Sequence, residues 1–212
     1  MAKIESGILG GVRGKVGTVV GAIWKGIATI RAYVATISNP NSEGQLAQRS
    51  KFSTVIAFLK PMASLIALTF RSLAVKQTCF NAAMKLNLKN AITGVFPNFE
   101  MDYTKAILSV GSLPGALNPA TLAAIAGAIE FTWDDNSWAF GADATDEAVI
   151  IVYNPLKGVE SIMGGIARSV GTQTIVLPNA YTGDEVQCYI AFKKAKSNVF
   201  SDSQYISGIV VS

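Results

Sequence analysis

The spacing of apolar residues changes character twice along the chain. From Val16, the run VGTVVGAIWKGIATIRAYV is dense in β-branched and aromatic residues, with Lys25-Gly26 as an internal turn signal. It supports strand, turn, strand over residues 16–34, as a β-hairpin or a long bent ribbon. A rival pattern overlaps it. Gly7, Gly10, Gly14, Gly17 and Gly21 recur at spacings of three and four, which would line one helix face with small residues. Each glycine costs a helix about 1 kcal/mol relative to alanine, so extended structure is preferred, preceded by a pliable arm through Gly14.

After Asn39-Pro40, a turn initiator, Ser42 with Gln45 three residues on predicts a capping box. The helix behind it repeats Leu46, Phe52, Val55, Ile56 and Leu59 on one face. Pro61 interrupts it and is suited to open the next, PMASLIALTFRSLA. A third helical piece, CFNAAMKLNLKNAI, spans residues 79–92, and Gly94 and Pro97 punctuate its end. Residues 42–93 thus read as two or three helices, basic on their polar faces.

Beyond residue 98 the pattern changes to strands. Strands are expected at 101–111, 127–135, 147–154, 172–178, 185–194 and 204–212, separated by Gly, Pro, Asn and Asp. Six or more short strands so spaced predict a β-sandwich. Ile129, Phe131 and Trp133 alternate as an inward-facing strand would, and GSLPGALNPATLAAIAG (111–127) reads as a boundary or a loop within the sheet. The expected organisation is α+β: residues 1–36 a glycine-rich arm and β-hairpin, 37–98 a small helical region, and 99–212 an antiparallel β-sandwich with its core in 127–212.

Composition sharpens this. Half of the 212 residues are apolar and 15% are charged, against about a quarter charged in average usage. So little solvating surface suggests a surface covered by partners. Residues 1–98 hold twelve Lys and Arg against two acids, net +10, and residues 99–212 hold six against twelve, net −6. Such a bipolar chain is suited to binding polyanions at one end or to pairing head to tail with copies of itself. Cys79 and Cys188 lack CxxC spacing and read as small apolar residues. The start, MAKIESGILGG, lacks a secretory pattern, so cytoplasmic synthesis is expected, with an assembled particle as a final location. FSTVIAFLKPMASLIALTF (52–70) is broken by Lys60-Pro61 into runs too short for the roughly 20 residues that span a bilayer, so no transmembrane span is expected.

The segments GILGGVRGKVGTVVGAIWKGIATIR, NPNSEGQLAQRSKF, LSVGSL, FTWDDNS, ATDEAVIIVYN and SDSQYISGIVV, in that order, resemble an uncharacterised family, a domain of unknown function found in Bacteroidetes-group bacteria. That resemblance covers nearly the whole chain and implies no activity. The last 85 or so residues are also similar to fibronectin type III and immunoglobulin-like sandwiches, through a Trp on an early strand, a VYN strand and a final Ser- and Tyr-containing hairpin. Such sandwiches host adhesion, carbohydrate contact and virion decoration alike.

Candidate chemistry is sparse. The chain has no histidine, which removes Ser-His-Asp and Cys-His nucleophilic sites and the commonest zinc sites. Asp134-Asp135 and Asp143, Asp146 and Glu147 are open to two readings, a hard-cation site or turn chemistry at strand ends. Turn chemistry is preferred, and no metal is expected. GGVRGKVG puts Val16 where a Walker loop needs Ser or Thr, and too few residues precede Gly7 for a dinucleotide-binding strand. No cofactor and no enzymatic activity are expected.

Three functions remain. The first is a self-assembling structural subunit of a virion, shell or filament, contacting neighbours through Gly7, Gly10, Arg13, Gly14, Lys15, Gly17, Gly21, Trp24 and Arg31. Its partners would be copies of itself, alongside other virion proteins. The second is a binding module that recognises a glycan or protein through sandwich loops, with Trp138 and Tyr181 as contacts. The third is nucleic-acid association through Arg13, Lys15, Lys25 and Arg31, weakened by the sparse spacing of those cations.

Overall fold

The computed structural model describes residues 3–4, 11–36 and 41–212, and it is a mixed α+β protein built of several antiparallel sheets and three α-helices. The first sheet has the order β1-β2-β3-β4, comprising Lys3–Ile4, Val12–Val16, Val19–Trp24 and Ile27–Ala32. At Gly14, Gly17 and Gly21, extended structure and a turn therefore win over the glycine-faced helix. The strands also begin earlier than expected: Gly14 is a strand residue paired with Gly21, and a turn at Gly17-Thr18 adds a hairpin before the expected one. The Lys25-Gly26 turn is as expected, with φ of 47° and 80°. Two consecutive positive φ values suit the twist of a two-residue hairpin loop.

Three helices follow, α1 (Glu43–Leu59), α2 (Ala63–Thr69) and α3 (Cys79–Asn90). Ser42 stands at the N-cap of α1 without a side-chain cap bond, so the expected capping box is not formed. At α3, Thr78 does cap, accepting from the Asn81 amide at 3.0 Å. Pro61 lies in the turn between α1 and α2, which meet at 89°. Among the described residues no single helix is long and apolar enough to cross a membrane.

A short hairpin, β5 (Ile92–Val95) and β6 (Asn98–Met101), leads into two larger sheets. One has the order β11-β8-β7: Thr172–Val176, Ala128–Asp134 and Leu117–Ile125. The other has the order β10-β9-β12-β13: Val159–Ala167, Glu147–Asn154, Glu185–Lys193 and Gln204–Val210. Residues 117–125, read from sequence as a boundary or loop, form an edge strand. Pro119 is accommodated there because the register slips between Leu117 and Ala120. Strand β10 had no sequence signal because Gly164-Gly165 reads as a breaker; in the fold it lies at a bulge between Gly164 and Ile166.

Met101 ends β6, and residues 102–111 are not a strand. Asp102 caps a short 3-10 turn at Tyr103–Lys105, and side chains take up the backbone groups that follow. Asn87 donates to the Ile107 carbonyl at 2.8 Å and accepts from its amide at 2.9 Å. Thr69 donates to the Leu108 carbonyl at 2.8 Å, and the Leu108 amide donates to Ser203 at 2.9 Å. With its hydrogen bonds met by side chains, the segment needs no neighbouring strand.

Two cores sit on opposite sides of β9 and β12. Ala148, Ile150, Val152, Cys188, Ile190 and Phe192 face Ile129, Phe131, Trp133 and Ile175 of the other sheet. Val149, Ile151, Tyr153 and Tyr189 face Phe58, Leu59, Met62, Ile66 and Phe70 of the helices. Phe58 meets Tyr153 edge-on with ring centroids 5.0 Å apart. Cys188 is an interior residue whose thiol burial pushes up to about 12, so it is protonated and inert at neutral pH.

Two outcomes follow from these contacts. Asn87→Ala leaves the Ile107 amide and carbonyl unpaired, and a loss of about 1–3 kcal/mol per group is expected in denaturant titrations. Asp184 is held below its ordinary value of 3.8 by Lys157 and then Asn154. Because the folded-state value is depressed, its contribution is present above the unfolded value and is lost as pH falls through the folded one. The melting temperature should drop below about pH 4, and Asp184→Asn should flatten part of that fall.

Candidate functional site

Among the described residues no core covers the β1–β4 sheet, and its two faces differ. The register pairs Gly14 with Gly21, Val16 with Val19, Gly21 with Ile30, Val19 with Ala32 and Ile23 with Ala28. By alternation, that face carries only glycine and apolar side chains, and Ile30 on it is 69% exposed. The opposite face carries Lys15, Val20 and Arg31 in one row and Trp24 with Ile27 in another. Trp24 is 49% exposed, and the Lys15 ammonium lies 3.4 Å from the Tyr33 ring centroid. Strand β4 ends the sheet, so one side of its backbone faces outward.

A second exposed feature is the loop between β8 and β9. Trp138 is 80% exposed and Phe140 is 103% exposed, yet the loop that bears them is tightly built. Asp135 accepts from the Ser137 amide at 2.9 Å, and Asp143 accepts from the Thr145 amide at 2.8 Å. The Ala139 and Ala142 amides donate to the Asn136 and Ala139 carbonyls, both at 2.9 Å. Asp135 and Asp143 thus serve turn chemistry, while Asp146 forms a buried ion pair with Arg168 and Glu147 pairs with Lys193. Among the described residues no group of three or more His, Cys, Asp or Glu is placed to hold a metal ion.

The family of unknown function DUF6266 matches residues 11–207 of the chain. The chain belongs to that family. No curated protein and no solved structure matches it. Membership agrees with the expected uncharacterised family and assigns this DUF6266 chain no chemistry.

The sequence-expected site residues fall in three places. Arg13, Gly14, Lys15, Gly17, Gly21, Trp24 and Arg31 are brought together in the uncovered sheet, while Gly7 and Gly10 lie outside the described residues. Gly21 is buried because the Val12 backbone crosses it; a Cβ there would meet the Val12 carbonyl oxygen at 1.9 Å. Its glycine serves close approach within the chain itself. Lys25, offered as a phosphate contact, donates to the Gln77 carbonyl at 2.6 Å.

Tyr181 is corrected. The sequence placed it in a loop as a ligand contact, but it ends a 3-10 turn and is 4% exposed, packed in the core between the two larger sheets. Its apolar ring completes that core, which removes it from any loop surface. Phe140 was missed, although it stands two residues from Trp138 in the same turn-rich stretch. An apolar groove of about 660 Å³ between α1 and α3 was missed as well, being lined by Phe52, Ile56, Phe80, Met84 and Leu88. Its helix faces read only as core.

The aromatic loop depends on Arg168, which is fully buried together with Asp146. Its guanidinium donates to Asp146 at 3.2 Å, to Asn136 at 2.6 Å and to the Pro114 carbonyl at 2.9 Å. Burial pulls the guanidinium below its ordinary value, and Asp146 opposes that pull. Removing one partner of a buried ion pair costs about 3–5 kcal/mol. Arg168→Met should therefore cost that much in denaturant unfolding, and Arg168→Met with Asp146→Leu should recover part of it.

Proposed function

We propose that this chain is a non-enzymatic structural subunit that self-assembles into a larger particle, such as a phage virion component, shell or filament, through its N-terminal sheet. The supporting observation is the uncovered β2–β4 meander, whose one face is wholly uncharged. A small sheet needs a covered hydrophobic face for independent stability, and an uncharged face meets a copy of itself without like-charge repulsion. The open β4 edge adds a route for β-augmentation. The seven strands beyond residue 116 are read as an immunoglobulin- or fibronectin III-like sandwich, supported by two antiparallel sheets sharing one core. In this reading residues 1–36 are the assembly element, 37–98 the helical region and 99–212 the sandwich.

A second reading, a module binding a partner through its sandwich loops, is favoured by one observation, the exposure of Trp138 and Phe140. Size-exclusion chromatography with light scattering separates the two. The self-assembling subunit elutes far above its 22.4 kDa, and Val19→Lys with Ile30→Lys shifts it to a folded monomer. A native chain that stays monomeric at high concentration contradicts the proposal.

A further inference from the structure

We propose that the Trp138–Phe140 loop of one copy docks into the groove between α1 and α3 of the next, giving a head-to-tail contact. This rests on the self-association reading and names a contact distinct from the N-terminal sheet.

The two surfaces are complementary in shape class and in charge. The loop projects two aromatic side chains from a rigid turn, between the exposed carboxylates of Asp134, Asp135 and Asp143. Residues 134–143 contain no cation. The groove offers five apolar side chains in a volume of about 660 Å³, within the range of pockets that accept ligands of such size. Lys85 and Lys89 line its rim, and no acid lines it. Lys51 stands nearby, its ammonium 4.8 Å from the Phe99 ring centroid.

Within one chain the pairing is not made, since Trp138 and Phe140 are almost wholly exposed. Clustered aromatics dominate binding where they fill desolvated pockets. Fixed loop geometry lowers the ordering cost, and here the Arg168–Asn136 bond and the turn amides supply that geometry. Opposite charges on loop and groove orient the encounter and disfavour loop-to-loop or groove-to-groove pairing. Because the patches differ, the contact is heterologous and runs on into rings or open filaments.

Zero-length carbodiimide cross-linking of an equal mixture of unlabelled and nitrogen-15-labelled full chain tests it. Mixed-isotope links from Lys85 or Lys89 to Asp134, Asp135 or Asp143 are expected. They should be lost in Trp138→Ala/Phe140→Ala, a variant of two exposed residues that keeps the native circular dichroism spectrum. Assemblies that form without those links, or links that persist in that variant, overturn the docking and leave assembly through the N-terminal sheet standing. A native chain that yields no intermolecular links and stays monomeric overturns both.

Discussion

Burial of β9 and β12 on both faces is the constraint around which the molecule is arranged. Alternate residues of these two strands serve different cores, one shared with the β11-β8-β7 sheet and one with the helices. Each fully buried Val, Leu, Ile or Phe is worth about 1.5–3 kcal/mol, so neither covering layer can be lost without exposing half of the central pair. The helices are thus a second wall of the fold. The segment 106–110, pinned by Asn87, Thr69 and Ser203, closes the seam between that wall and β13.

The same arrangement sets where exposed apolar surface lies. Helices α1 and α3 spend one side on the central pair and leave a groove on the other. The loop between β8 and β9 is anchored from below by Arg168, whose donors go to Asp146, Asn136 and backbone carbonyls of the preceding segment. The N-terminal meander, in contrast, shares neither core. Its exposed Ile30 and Trp24 have no covering layer among the described residues.

Much of this was legible in residue order. The hairpin turn at Lys25-Gly26, the helical stretch 42–93 and five of the strands beyond residue 127 follow directly from period and punctuation. β9 reads as a continuous apolar run because it is buried on both sides, whereas β8 alternates more clearly. The failures share one cause, local rules overridden by distant partners. Residues 101–111 look like a strand but find their hydrogen bonds in side chains of residues 69, 87 and 203. Pro119 and Gly164-Gly165 look like breakers but are absorbed at bulged edges. Tyr181 looks like a loop aromatic but turns inward. Of the candidate surfaces, Trp138 was legible because turn residues surround it. The groove was not, since an apolar helix face reads the same whether a core or a neighbour covers it.

In the proposed assembly, the uncovered surfaces of this chain are completed by other copies of it. Hydrogen–deuterium exchange measured over a wide range of protein concentration tests that most directly. Amides of β3 and β4, of residues 135–143 and of α1 and α3 should slow as concentration rises, while those of β9 and β12 stay constant. Exchange in all of these segments that is fast and independent of concentration would contradict it.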